Sequence, residues 1–329
     1  MGAEGVQARR NSGRFAPSTT GRAHPGTLLA ALLCWLDARS RGLAVALRLE
    51  DLDRERSKPE WVEAMVRDLA WFGLDWDATL RQSSAQARHD AIVDRLVRAG
   101  RVYACRCSRT RIRETGAPAP DGSHRYAGHC RDRVVGPNDW RSVPDPLRLR
   151  LEPGFVALRD ESGLDLSGDP EAIFGDPLLR RRDGAWAYHF VSVVDDADLG
   201  VVRVVRGRDL APSTTLQVAI ARHLGLPTPT YRHHCLLLER RGDKLSKLHG
   251  AVALPDLRER HDAAALCGLL AASVGLVAPG TRCRPADLVA DFDWVRVSND
   301  DVVLAWRPET GLTALSGPLA AGSRQRSAC

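Results

Sequence analysis

Lysine is scarce in this 329-residue chain. Of its 47 basic residues only Lys58, Lys244 and Lys247 are lysines, and the other 44 are arginine. Long apolar runs are missing as well. The longest, LLAALLCWL at 28–36, falls well short of the roughly 20 residues a bilayer requires and is followed at once by charge. No membrane span is expected. The N-terminal MGAEGVQARRNSG has no apolar core of a secretory signal, so the expected location is the cytoplasm. Eight cysteines are too sparse for a disulfide framework in a chain of this length, and only Cys105, Cys107 and Cys130 cluster. No Walker loop and no Rossmann dinucleotide fingerprint is present, which excludes two common phosphate-binding devices.

With 44% hydrophobic residues the chain can bury a substantial core. Its formal net charge of +6 favours a polyanion such as nucleic acid, but weakly, because 41 acidic residues are interspersed. SGRFAPSTTGRAHPGTLLAALL reads as a short strand, a loop and a helix from about Pro25. LAVALRLEDLD reads as a strand ending in acid, and KPEWVEAMVRDLAWFGL as a helix closed by Gly73. ARHDAIVDRLVRAG adds a helix, VVRVV a strand, APSTTLQVAIARHLGL a helix, and YRHHCLLLE a further strand. This alternation predicts an α/β fold with a parallel sheet and helices on its faces.

Four groups of residues carry chemistry. Ser18, Thr19, Thr20 and Gly21 form a loop between strand and helix, with His24 at the helix entrance, where free N–H groups and the helix dipole make an anion site. KLSK at 244–247 places two of the three lysines in one loop. An ammonium is a compact, flexible charge that can follow a migrating phosphate, whereas a guanidinium is a rigid fork. CRC at 105–107 and YAGHC at 126–130 bring three thiols into an arginine-, glycine- and proline-rich stretch that needs a staple, which suits structural zinc. Ligand chemistry alone points to His129 or His124 as the fourth donor. Glu50 and Asp51 end a strand, the place where open α/β sheets bind ligands, and with Arg14, Tyr188 and Arg206 they would suit an amino acid.

The order of APSTTGRAHPGT, LRLEDLD, VVDDADLGVVRVVRGRDL and KLSK resembles the class I glutamyl-tRNA synthetases over about residues 12–255. There the first loop carries the HIGH-type element and KLSK is the KMSKS-type element. Only 79 residues follow Gly250, too few for a large helical anticodon-binding region, so the chain is most similar to the truncated branch, the glutamyl-Q tRNA(Asp) synthetases. The resemblance implies a ligase that activates L-glutamate with ATP, without tRNA, and transfers it to the queuosine cyclopentenediol in the anticodon of tRNA(Asp). It implies glutamate contacts by Arg14, Phe15, Ala16, Pro17, Ser18, Glu50, Tyr188 and Arg206, and ATP contacts by His24, Gly26 and Lys247. Catalytic roles fall to His24, Lys244 and Lys247, and arginine at 247 should impair adenylate formation despite keeping the charge. Magnesium accompanies the ATP. Structural Zn2+ is implied at Cys105, Cys107, Tyr126 and Cys130, with tyrosine in place of histidine.

The expected architecture is thus a class I synthetase Rossmann-type parallel sheet with a small zinc-binding insertion and a short helical C-terminal extension, acting as a monomer. Residues 11–100 are the first half of the catalytic domain, 101–146 the insertion, 147–230 the second half, 231–308 the KLSK loop and helical extension, and 309–329 a disordered tail. Two other classes use the same residues: a minimal synthetase charging the 3′ end of tRNA, and a zinc-containing RNA-binding module without catalysis. Chain length opposes the first, and retention of His24 with both lysines opposes the second. Thr19, Thr27 and His189 depart from the family pattern, which has proline, a second histidine and asparagine there.

Overall fold

The computed structural model describes residues 11–238, 253–307 and 309–314. Strands β1 (Ser12–Phe15), β2 (Ala44–Leu49), β3 (Ala78–Arg81), β7 (Val201–Gly207) and β8 (Thr230–His234) form one parallel sheet in the order β3-β2-β1-β7-β8. The inner strands AVALRL and VVRVVRG are almost wholly buried, as parallel strands covered on both faces must be. Helix α1 (Pro25–Ser40) links β1 to β2, and its apolar residues run all round the helix. One side packs on the sheet and the other on α9 (Ala263–Ser273) in a shared core, so no polar face is needed. Gly13 permits this close approach, since a Cβ there would lie 2.9 Å from the Ala38 Cβ. Helix α2 (Pro59–Trp71) leads to β3, an exposed edge strand that the sequence pattern does not announce.

Helix α3 (Gln86–Arg98) precedes a second, antiparallel sheet of β4 (Val102–Ala104), β5 (Leu147–Leu149) and β6 (Leu178–Arg180). Between them lie α4 (Arg109–Thr115) and α5 (Pro170–Phe174). This region does build a core: Trp140, Leu147, Leu149 and Leu179 pack with α3, α6 (Tyr188–Asp198) and α7 (Thr214–Leu224). The parallel sheet resumes at Val201, so β5 and β6, expected within its second half, stand outside it.

The C-terminal extension contains α8 (Leu254–Arg258) and α9, but it is not only helical. Strands β9 (Leu237–Leu238), β10 (Val302–Arg307) and β11 (Gly311–Ala314) form a sheet in the order β11-β10-β9. Residues 311–314, expected in a disordered tail, pair with β10 and bury Leu312. Burial against α9 and β10 outweighs their small, polar composition. Among the described residues no helix is long and apolar enough to cross a membrane.

Candidate active site

The chain leaves β1 towards β2 and leaves β7 towards β8, in opposite directions from two adjacent strands. Such a switch point opens a crevice at the carboxyl ends of the strands. Here it is a cavity of about 520 Å³, walled by Arg14 to Ser18 from β1 and its loop, His24 and Gly26 from the start of α1, and Tyr188 and Arg206 from α6 and β7.

The loop after β1 is fixed by backbone bonds. Glu50 N–H donates to Pro17 O at 3.1 Å, and Thr19 donates to Glu50 O through both its N–H and its hydroxyl. His24 caps α1 itself: its Nδ1 accepts the Thr27 N–H at 3.3 Å, and Pro25 occupies the first turn. With Nδ1 as acceptor, the proton of the neutral ring sits on Nε2. The helix start contributes its positive dipole end to the cavity, and Gly26 and Thr27 lie in the wall.

Asp196 joins an arginine of the wall, Arg14, to one outside it, Arg48. The fully buried Arg48 donates to Asp196 Oδ1 at 2.6 Å and to Glu50 Oε1 at 2.8 Å, while Arg14 Nε donates to the same Asp196 oxygen at 3.3 Å and its NH1 to Val205 O. Burial pushes the Glu50 carboxyl above its ordinary range despite Arg48 and Arg14. Glu50 is tied to Arg48 and is not among the residues lining the cavity. Asp51 is occupied elsewhere, accepting from Arg81 Nε and from the N–H and hydroxyl of Ser83.

Arg206 is different. It is buried, and its donors meet only neutral acceptors: His233 Nε2 at 3.1 Å, Gln217 Oε1 at 2.7 Å, Thr214 Oγ1 at 2.8 Å and Leu210 O at 3.3 Å. Among the described residues no carboxylate forms an ion pair with it. Burial holds its pKa below the usual value, yet a guanidinium remains charged. His189, next to Tyr188, accepts from Gln217 Nε2 at 3.4 Å, and burial pushes its pKa down to about 4.

Apart from the cavity, Cys105, Cys107 and Cys130 bring their sulfurs within 4.8 Å of one another, with Cys107 and Cys130 at 3.7 Å. Burial raises the Cys130 thiol, but hydrogen bonds from Tyr126, the Arg106 backbone and the neighbouring thiols outweigh it and bring the pKa down to about 7. The Tyr126 hydroxyl accepts the Cys130 N–H at 2.8 Å, its ring stacks on Tyr103, and Arg148 lies 3.8 Å over it. Neither His124 nor His129 joins the thiol group, which corrects the choice made from ligand chemistry alone. Lys244 and Lys247 lie outside the described residues.

Residues 12–266 match the family described as tRNA synthetases class I (E and Q), catalytic domain. A glutamyl-Q tRNA(Asp) synthetase of Nocardia farcinica is 41% identical over 299 residues, covering 89% of this chain and 93% of that protein. The chain belongs to the glutamyl-Q tRNA(Asp) synthetase family. It is thus a ligase of the class I synthetase fold. Another family member, from Symbiobacterium thermophilum, is 37% identical over 330 residues and is covered to 98% of its length. A glutamate tRNA ligase from Elizabethkingia meningosepticum shares the fold with a TM-score of 0.72 at 22% identity, over 89% of this chain and 67% of that one.

The structure brings Arg14, Phe15, Ala16, Pro17, Ser18, His24, Gly26, Tyr188 and Arg206 to one cavity. Reading the sequence of this family member missed Arg48, Asp196 and the partners of Arg206. Register could have revealed one of the latter: β7 and β8 pair Arg206 with His233.

Proposed function

We propose that the cavity binds L-glutamate and ATP and forms glutamyl adenylate without tRNA. An α-carboxylate oxygen of glutamate attacks the α-phosphorus, the α–β phosphoanhydride bond breaks, and pyrophosphate leaves. A hydroxyl oxygen of the queuosine cyclopentenediol of tRNA(Asp) then attacks the activated carbonyl, AMP departs, and the hydroxyl proton passes to solvent. Because the substrate supplies the nucleophile, the protein's work is positioning and charge stabilisation.

The observation that carries this reading is Arg206, a buried cation in the cavity wall with no carboxylate partner among the described residues. It would take the side-chain carboxylate of glutamate, with Tyr188 beside it and Arg14 to Ser18 around the rest of the substrate. Glu50, outside the wall and bonded to Arg48, would have to turn from it to meet the ammonium group. His24 Nε2–H, the N–H groups at Gly26 and the ammonium of Lys247, supported by Lys244, would hold the ATP phosphates together with Mg2+.

The thiol group fits a structural Zn2+, with three sulfurs converging in a partly buried site and the Tyr126 oxygen adjacent. When bound, zinc supplies only a crosslink that closes the loop from Cys105 to Cys130. The relatives named for glutamyl-Q tRNA(Asp) support the tRNA assignment. The test is ATP–pyrophosphate exchange: it should depend on glutamate and proceed without tRNA, and its absence would remove the proposal.

A further inference from the structure

We propose that Asp160, His233 and Gln217, with His189 behind the last, are positioning residues that present Arg206 to the substrate as an oriented cation, unpaired with any carboxylate among the described residues, and so set the preference for glutamate over glutamine. This rests on the function proposed above.

The geometry begins at Asp160. Its Oδ2 accepts both the backbone N–H of His233 at 2.9 Å and the imidazole Nδ1–H at 2.8 Å, while Oδ1 accepts the N–H groups of Ser162 and Leu164. The turn that follows Asp160 thus fixes the carboxylate, and the carboxylate fixes the imidazole proton on Nδ1. Nε2 is left as an acceptor facing the Nε–H of Arg206 at 3.1 Å. A second arm reaches the other end of the fork. Gln217 turns its Oε1 to Arg206 NH1 at 2.7 Å because its Nε2 donates to His189 Nδ1 at 3.4 Å. Thr214 Oγ1 takes NH2 at 2.8 Å.

Every one of these acceptors is neutral, so the guanidinium is held in its plane without losing its charge. Among the described residues the one carboxylate in the chain of contacts, Asp160, is set one residue back, behind the His233 ring. An incoming carboxylate would pair with a desolvated cation, whereas an amide would leave that cation unpaired, and sites of that kind reject the neutral analogue strongly. Where the family pattern has asparagine, the imidazole of His189 orients the Gln217 amide in this chain.

The test is Gln217→Glu, which is isosteric and places a carboxylate against Arg206 NH1. In glutamate-dependent pyrophosphate exchange the full-length variant should show KM for glutamate raised about 100-fold or more, a narrowed ratio of glutamate to glutamine activity and unchanged KM for ATP. Its thermal stability should be kept, because Arg206 pairs with one carboxylate oxygen and His189, with its proton moved to Nδ1, donates to the other. Asp160→Asn, which frees the His233 tautomer, should raise KM for glutamate about 10-fold or more with KM for ATP unchanged. If the wild-type chain exchanges and Gln217→Glu keeps its KM and discrimination, the positioning role is overturned and the function stands. If the wild-type chain does not exchange, the function falls and this inference with it.

Discussion

Asp68 on α2 accepts the backbone N–H of Ala23 at 3.2 Å, one residue before His24. The same carboxylate pairs with Arg22 at 3.2 Å and Arg258 at 3.7 Å, and Ala23 O accepts the Leu254 N–H at 2.9 Å. The loop at the head of α1 is thereby tied to α2 and to the segment that follows the lysine loop.

Removing that tie should be felt in both stability and catalysis. Asp68→Ala leaves the buried Ala23 amide without its acceptor, at an expected cost of about 1–3 kcal/mol. Asp68→Asn keeps an acceptor and should recover most of it. Urea unfolding of the two variants measures the difference, and equal losses would mean that charge, not the amide contact, holds the loop.

His24 has two separable roles. As the cap of α1 it is worth about 1 kcal/mol, and as an Nε2–H donor facing the cavity it would contribute to phosphate stabilisation. His24→Ala should lose both. His24→Asn should regain the thermal midpoint, since asparagine caps well, while exchange stays depressed roughly 100-fold or more. Recovery of exchange in His24→Asn would confine the residue to capping.

Acid stability should report on Arg203. Its guanidinium grips Asp37 at 2.7 and 3.0 Å and Glu161 at 2.5 Å on both oxygens, and Trp294 Nε1 donates to Asp37 at 2.7 Å. Burial raises Asp37, but Arg203 and Trp294 outweigh it, and Arg203 likewise lowers Glu161. Folded values below the unfolded ones mean stability that is full above the ordinary carboxylate range, roughly pH 4, and lost as pH falls through the folded values. Arg203→Met should cost about 3–5 kcal/mol near neutrality and flatten the acid limb of the melting curve against pH. An unchanged acid limb would place the titration elsewhere.

At the thiol site, the purified protein should carry one zinc per chain by elemental analysis. Tyr126→Phe should weaken metal retention against a chelator, and Cys107→Ser should abolish it. Full retention in Tyr126→Phe would remove tyrosine from the ligand set.

The sequence made legible what is local. Pro25 and the apolar run after it announce α1, and its observed bounds are Pro25–Ser40. The spacing of the thiols announces their cluster, but the donor beside them depends on the distant end of α5: Tyr126 N–H donates to Phe174 O, and Gly175 passes so close that a Cβ would lie 2.1 Å from Tyr126 O. No spacing rule distinguishes Tyr126 from His129. Arg206 stood out by its place after VVRVV, whereas Asp160 acts on it only through His233, 73 residues further along the chain from Asp160. Strand β3 was silent because ATLR is a four-residue exposed edge, too short for its alternation to stand out, and β11 because GLTA has the composition of a tail.

The most direct measurement follows labelled glutamate with ATP into tRNA(Asp) that carries or lacks queuosine, with the terminal adenosine then removed. Label that appears only with queuosine and survives loss of the adenosine is the predicted result. Label that enters queuosine-free tRNA equally, or leaves with the adenosine, would contradict it.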